Sequence, residues 1–132
     1  MYLIIVGAGT VTKQLIAIAK EQGHKVAVIE KKADRAREIM QEFDISIFHA
    51  DIARGKILEE ANVSDADAII ATTRDDSINL MAMILGKQYG VKHLITLLQE
   101  KEHQAMFEKL GIQVLSDPEQ LIAQKLYSFI DR

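Results

Sequence analysis

The strongest constraint on the fold lies in residues 1–30, where an apolar run leads directly into a glycine turn. Residues 2–6 are Tyr-Leu-Ile-Ile-Val, and the tripeptide Gly7-Ala-Gly9 follows at once. A helical pattern comes next, and a second apolar run ends in an acid, Glu30. Apolar runs separated by a helix are typical of buried parallel strands. The opening residues therefore predict a parallel βαβ unit with a tight turn between its first strand and its helix.

Apolar runs and helical stripes alternate along the rest of the chain, with no repeat, linker or low-complexity stretch between them. This alternation predicts an α/β fold, a Rossmann-like doubly wound parallel sheet of six strands in the order 3-2-1-4-5-6 with helices on both faces. We expect the whole chain, 1–132, to form a single domain. The expected strands are 2–6, 25–30, 45–49, 68–71, 92–98 and 113–115, and the expected helices are 11–22, 33–43, 77–89, 102–110 and 119–130, with a short helical segment in 51–62.

Helical spacing also predicts which side chains face the core. The first helix is expected to turn Val11 inward. Methionine adapts its shape to irregular gaps, so Met81, Met83 and Met106 are expected to fill the space between helices and sheet.

Composition excludes several classes of protein. Hydrophobic residues make up 48% and charged residues 27% of the chain, which is the balance of an ordinary globular domain. The net charge of −3 argues against nucleic acid or an anionic membrane surface as the main partner. No apolar run approaches the roughly 20 residues of a membrane helix, and a strand follows Met1 without a signal peptide. We expect a cytoplasmic protein without direct membrane insertion.

Catalytic and metal chemistry find little support in the sequence. The chain has no cysteine, which excludes a thiolate nucleophile, and no Gly-x-Ser-x-Gly elbow. Its four histidines lack the spacing of metal ligands. The acids Asp75 and Asp76 are explained by the start of a helix, where negative charge is favourable. We therefore expect no enzyme, no catalytic residue and no metal site.

The two glycines of the first turn have separate physical roles. Gly7 permits the tight change of direction from strand to helix. Gly9 lets the backbone approach a phosphate at the helix N-terminus, where free N–H groups and the helix dipole favour an anion. The third position of the dinucleotide fingerprint is Thr12 instead of glycine or alanine, and its Cβ is expected to hinder close packing of helix on strand. A glycine turn without a ligand is the alternative interpretation.

Glu30 ends the second expected strand, about 20 residues beyond Gly9. An acid near this offset accepts hydrogen bonds from ribose hydroxyls. Its charge would repel a 2′-phosphate, so NADP is disfavoured, although the neighbouring Lys31 and Lys32 would soften the repulsion. A solvated acid at a strand end is the alternative interpretation.

Several linked stretches carry a more specific signal. They are Val6-Gly-Ala-Gly-Thr-Val-Thr12, Ala50-Asp51, the Asp-Ala-Asp-Ala-Ile-Ile-Ala-Thr-Thr of 65–73, Asp76-Ser-Ile-Asn79-Leu80, and the stretches 103–111 and 116–119. With these motifs the chain resembles, over essentially its whole length, the N-terminal nucleotide-binding subdomain of the RCK/KTN (TrkA-N) family of potassium channel and transporter regulators.

The resemblance implies that a nucleotide lies across the carboxyl ends of the strands. The phosphates would contact the glycine turn, the adenosine ribose Glu30, and the adenine Asp51. Thr73 would lie near a phosphate or the distal ribose, and Asn79 is expected to be structural. The complete candidate set is Gly7, Ala8, Gly9, Thr10, Val11, Glu30, Lys31, Asp51, Ile52, Thr72, Thr73 and Arg74.

Three positions depart from the family pattern. Thr12 replaces the third glycine, Thr10 stands where many members carry Arg or Glu, and Leu97 stands where many carry an Arg that reaches phosphates. Because charge-assisted contacts are the strong ones, we expect Lys13 or Arg74 to supply the missing cation. The expected ligand is an adenine nucleotide (AMP, ADP or ATP) or NAD(H), and the departures favour AMP or ADP.

The resemblance further implies a regulatory domain of a potassium uptake or efflux system. It would transmit its nucleotide state to a membrane channel or transporter subunit, peripheral to the inner face of the membrane. The last helix, 119–130, would cross over to a second subunit and form a homodimer or higher homo-oligomer; the alternative is that it folds back on its own sheet. Its apolar residues are Leu121, Ile122, Leu126, Phe129 and Ile130.

Alternative interpretations remain at this point. The second subdomain of many family members is missing, so the chain is either a minimal form or a fragment. It could also be the nucleotide-binding half of a small NAD-dependent oxidoreductase, or a ligand-free assembly scaffold.

Overall fold

All six strands of the expected sheet form, and they run parallel in the expected order β3-β2-β1-β4-β5-β6. The structure is a computed structural model that describes residues 1–54 and 56–131. Short 3₁₀ segments cover Val63–Asp65 and Lys101–His103. The strands are β1 Tyr2–Val6, β2 Lys25–Glu30, β3 Ser46–His49, β4 Ala68–Ala71, β5 His93–Leu98 and β6 Gln113–Ser116, and the helices are α1 Thr10–Glu21, α2 Ala33–Glu42, α3 Ile57–Glu60, α4 Asp76–Gln88, α5 Gln104–Lys109 and α6 Pro118–Ser128.

The centre of the sheet is β1, which pairs with β2 on one side and β4 on the other. Its residues Ile4 and Ile5 are both completely buried, each in a different hydrophobic cluster. Neighbouring side chains of a strand point to opposite faces, so the sheet is covered on both sides. After β3, at one edge of the sheet, the chain returns to the centre and continues with β4 beside β1. The strand order reverses at this point, and folds of this kind bind ligands in the crevice that the reversal creates.

The helix faces differ from the expectation at several positions. Thr12 is completely buried, whereas Val11 is 46% exposed, so α1 turns the threonine inward. The burial is possible because the Thr12 hydroxyl has hydrogen-bond partners inside the protein. Met83 is buried as expected, but Met81 and Met106 are 41% and 47% exposed and do not fill the core.

The last helix, α6, has no buried residue along its length. It begins at Pro118 after Asp117, whose carboxylate accepts a hydrogen bond from the Gln120 N–H. The apolar side chains of this segment are therefore exposed to solvent in the isolated chain. Across the described ranges 1–54 and 56–131, no helix has both the length and the apolar character that crossing a bilayer requires.

Candidate functional site

A cleft of about 1270 Å³ opens at the carboxyl ends of the strands, around the point where the strand order reverses. Every residue of the predicted site lines this cleft. The cleft also includes residues that were not predicted for it, on α2, on α4 and over the ends of β5 and β6. These additional lining residues include Arg35, Ile78, Gln99, Leu115, Pro118, Leu121 and Ile122.

Part of this extension could have been found from the sequence. Gln99 and Pro118 follow the ends of β5 and β6, and the carboxyl ends of parallel strands share one edge of the sheet. The position of Leu121 and Ile122 beside the cleft depends on the direction in which α6 leaves the sheet, for which the sequence carries no signal.

The two glycines of the turn have different surroundings. Gly7 has φ +115°, and a Cβ there would lie 2.6 Å from Oγ1 of Thr72, so no larger residue fits without strain. Gly9 has φ −86°, and a Cβ there would meet no atom within 4 Å. The backbone of Gly9 therefore borders open space in the cleft, as a position of close ligand approach requires.

The start of α1 carries backbone donors without acceptors. Gly9 is the N-cap and supplies no side-chain cap, and the first turn has no acidic residue. The first hydrogen bond of the helix runs from the Lys13 N–H to the Gly9 carbonyl, at 3.2 Å. Within residues 1–54 and 56–131, no hydrogen bond satisfies the N–H groups of Ala8, Thr10 or Val11. Unpaired donors of this kind and the helix dipole both favour an anion.

The opposite wall of the cleft carries carboxylates from β2 and the segment after β3. Glu30 is only 7% exposed, and its Oε1 lies 3.4 Å from the Lys32 N–H. Asp51 accepts a hydrogen bond from the Ala53 N–H at 2.9 Å, and its second oxygen lies 3.7 Å from Nζ of Lys31. Lys31 is thus paired with Asp51.

The loop after β4 is held rigidly by Asn79, which is completely buried. Its Oδ1 accepts hydrogen bonds from the N–H and the hydroxyl of Thr73, at 3.2 and 2.6 Å. Its Nδ2 donates to the carbonyls of Thr73 and Leu97, both at 3.0 Å. The structural role expected of Asn79 agrees with these contacts. The Thr73 hydroxyl also lies 3.0 Å from the Asp75 carbonyl and accepts a hydrogen bond from the Asp75 N–H at 3.2 Å, so it is engaged within the loop.

The acids at the start of α4 also serve the backbone. Asp75 accepts hydrogen bonds from the N–H groups of Ser77 and Ile78, at 2.9 and 3.3 Å. Asp76 accepts hydrogen bonds from the N–H groups of Gln99 and Glu100, at 2.8 and 2.9 Å. Asp76 therefore ties the loop after β5 to the helix beside the cleft.

The two candidate cations have different surroundings. Nζ of Lys13 lies 2.6 Å from Glu38 and 3.2 Å from Glu42 of α2. The hydrogen bonds to Glu38 and then Glu42 raise the pKa of Lys13. Both residues line the cleft, and Arg74 has no ion pair within the described part of the chain. Of the two, Arg74 is the cation that can reach a ligand without breaking a salt bridge.

The fold and the cleft define the class of protein: a Rossmann-type domain with unpaired backbone N–H groups at the start of its first helix and a buried carboxylate on the opposite wall. The model of the TrkA-N domain matches residues 3–118. The chain belongs to the TrkA-N domain family, and the resemblance inferred from the motifs is confirmed.

Two relatives illustrate the sequence similarity. The Trk system potassium uptake protein TrkA homolog of Methanothermobacter thermautotrophicus is 33% identical over 132 residues, which cover 100% of this chain and 61% of that protein. The TrkA protein of Azorhizobium caulinodans is 30% identical over 133 residues, which cover 98% of this chain and 29% of that protein. The chain thus spans less than two thirds of the length of these relatives.

Solved structures confirm the fold. The TrkA-N domain of the inner membrane protein ybaL from Escherichia coli has a TM-score of 0.84 at 18% identity, covering 97% of this chain and 95% of that one. The AMP-bound Kef CTD of Shewanella denitrificans has a TM-score of 0.80 at 15% identity, covering 100% of this chain and 83% of that one. Structures of GsuK bound to NAD and to ADP both have a TM-score of 0.77 at 20% identity, covering 86% and 87% of this chain and 21% and 31% of theirs.

Proposed function

We propose that this domain binds an adenine nucleotide or NAD(H) in the cleft and acts as a regulatory sensor, not as an enzyme. One observation carries the proposal. Backbone donors without acceptors at the start of α1 and the buried carboxylate of Glu30 line the same cleft. A phosphate at the donors and a ribose at the carboxylate would satisfy both. The ligands named for the similar Kef and GsuK structures, AMP, ADP and NAD, all contain these two groups.

The proposed contacts follow the walls of the cleft. Residues 7–11 would bind phosphate, Glu30 the ribose, and Asp51 with Ile52 the adenine. Residues 72–74 would border the phosphates or a distal ribose. NADP is disfavoured because its 2′-phosphate would meet the Glu30 carboxylate, and Lys31, the nearest cation in sequence, is engaged with Asp51.

The direct test is calorimetric titration with AMP, ADP, ATP, NAD⁺, NADH and NADPH. We expect Glu30→Gln to weaken adenine-nucleotide binding about tenfold, because it removes a charge-assisted hydrogen bond to ribose. Glu21→Gln makes the same change at the far end of α1 and should leave affinity unchanged. Absence of binding by the unaltered chain, or equal affinities for the two variants and the parent, would overturn the assignment.

A second test separates the two candidate cations. Arg74→Ala should weaken ADP binding about five- to tenfold and leave adenosine binding unchanged, since the guanidinium would contact phosphate. Lys13→Ala should have little effect on either ligand, because its ammonium is held by Glu38 and Glu42. Titration of both ligands against both variants checks this, and the reverse order of effects would assign the phosphate contact to Lys13.

The relatives' names support a role in potassium transport for the protein to which this domain contributes. We propose that it lies in the cytoplasm, against the inner face of the membrane through a channel or transporter subunit. Regulation would be a population shift, in which the nucleotide binds one arrangement of paired domains better than another. A nucleotide with equal affinity for both arrangements would regulate nothing.

We further propose that residues 1–132 form one domain and that α6 packs against a second copy of the chain. The large apolar side chains between Leu121 and Ile130 are 45–80% exposed, and a contiguous apolar surface of this kind marks an interaction site. Leu121 and Ile122 also line the cleft, so a partner on α6 would lie beside the nucleotide.

Sedimentation analysis tests the pairing of α6. We expect the unaltered chain to dimerise and Leu126→Glu to shift the population to monomer, because the carboxylate would be buried without a partner. Gln124→Glu introduces the same group on the opposite side of α6 and should leave the dimer intact. A monomeric parent chain, or a dimer that persists in Leu126→Glu, would contradict the proposal.

A further inference from the structure

A pair of threonine hydroxyls lies directly beneath the glycine turn. Thr12 is completely buried, and its hydroxyl donates to the Gly7 carbonyl at 2.8 Å. Oγ1 of Thr12 lies 2.9 Å from Oγ1 of Thr72, which lies 3.2 Å from the Val6 carbonyl. The pair therefore joins the end of β1, the start of α1 and the end of β4 through one set of hydrogen bonds.

We propose that Thr12 and Thr72 are positioning residues that hold the glycine turn in the shape that binds phosphate; this inference rests on the proposed nucleotide binding. The dinucleotide-binding motif usually has glycine at the position that Thr12 occupies here. Glycine has no side chain and could not make these hydrogen bonds. Thr12 here supplies a connection that the common residue lacks, and it does so without any exposed atom.

The mechanism follows from the geometry of the peptide. Gly7 has φ +115°, a conformation that glycine enters and leaves freely. Its N–H donates to the Ile29 carbonyl at 3.0 Å, and its carbonyl accepts from Thr12, so it is held on both sides. Because a trans peptide is planar, holding the Gly7 oxygen also sets the opposite direction of the Ala8 N–H. Ala8 carries one of the donors without an acceptor that line the cleft.

A turn that is already ordered loses less conformational freedom when the ligand binds. The pair should therefore increase affinity for ligands that carry a phosphate and leave affinity for an unphosphorylated adenosine unchanged. Unchanged adenosine binding distinguishes a positioning role from a loss of stability, because a partly unfolded domain would bind both ligands more weakly.

The experiment compares Thr12→Val, Thr12→Ser and Thr72→Val by titration with ADP and with adenosine. Valine has almost the shape of threonine and removes only the hydroxyl bonds, whereas serine retains them. We expect both valine variants to weaken ADP binding about tenfold with unchanged adenosine binding, and serine to restore most of the ADP affinity. Equal losses for both ligands, or no loss in Thr12→Val, would overturn the inference.

Thr96→Val is the matched control, because Thr96 is also buried and its hydroxyl donates to the Leu97 carbonyl at 2.8 Å. It should lower stability without changing the ratio of ADP to adenosine affinity. NMR order parameters of Gly7 to Gly9 in the ligand-free chain give a second readout, which should fall in Thr12→Val and stay constant in Thr96→Val. If the parent chain bound no nucleotide, the proposed function would fail, and unchanged order parameters would separately refute the positioning role.

Discussion

Replacing Gly7 by alanine is expected to lower the free energy of unfolding by about 3 kcal/mol and to abolish nucleotide binding. Two causes add together. A residue with a Cβ is strained at φ +115°, at about 1–2 kcal/mol. Its Cβ would also lie 2.6 Å from Oγ1 of Thr72 and 3.3 Å from Cγ2 of Thr73, and forcing the loop aside costs about 1–3 kcal/mol. Both threonines border the proposed phosphate position, so the displacement reaches the site itself.

Urea denaturation and ADP titration measure the two effects. Gly90→Ala is the matched control, since Gly90 has φ +74° but open space around its Cβ position. The free energy of unfolding of this variant should fall only by the cost of the strained φ, about 1 kcal/mol, and its affinity for ADP should be unchanged. If the two variants lost equal stability, the contact with the loop after β4 would have no energetic consequence.

Replacing Asn79 by leucine should be about as damaging, with a loss of about 3–4 kcal/mol. The two side chains share the same branched shape, although the two methyl groups of leucine are bulkier than the amide oxygen and nitrogen. The amide hydrogen bonds to the N–H and carbonyl of Thr73 and to the carbonyl of Leu97 disappear. Buried backbone groups without partners cost about 1–3 kcal/mol each. The loops after β4 and β5 would also separate, which should weaken nucleotide binding.

Thermal and urea denaturation check this expectation against Asn62→Leu, the same change at an exposed position. Asn62 has φ +59° and its side chain caps no helix, so the control should lose only about 1 kcal/mol of conformational energy. A loss in Asn79→Leu no larger than in the control would mean that the loop backbone finds other partners.

The sequence brought the candidate residues to one cleft because their positions are local or follow from topology. The glycine turn and Glu30 belong to one βαβ unit, and their spacing reflects the length of one helix and one strand. Asp51 and residues 72–74 follow β3 and β4, so a parallel sheet brings them to the same edge. Their roles toward a ligand remain predictions until a titration tests them.

The errors have a common physical origin in contacts between distant parts of the chain. Thr12 was expected to disturb packing because the sequence shows only its Cβ, but its hydroxyl meets Thr72, which is 60 residues away. The pairing of Lys13 with Glu38 and Glu42 of α2 is another such contact, and nothing in the sequence indicated it. A helical stripe places Met81 on an apolar face but does not say whether another element covers that face.

By itself, then, the sequence determined the element order, the strand order and which strand ends meet at the cleft, because these depend on periodicity and on the handedness of parallel crossovers. Only the tertiary structure decided how the side chains at that edge are used. It commits Thr73 to Asn79 and Lys13 to α2, leaves Arg74 open to the cleft, and joins Thr12 to Thr72. Hydrogen bonds and ion pairs depend on distances of a few ångströms between segments far apart in the chain, and no pattern within one segment encodes them.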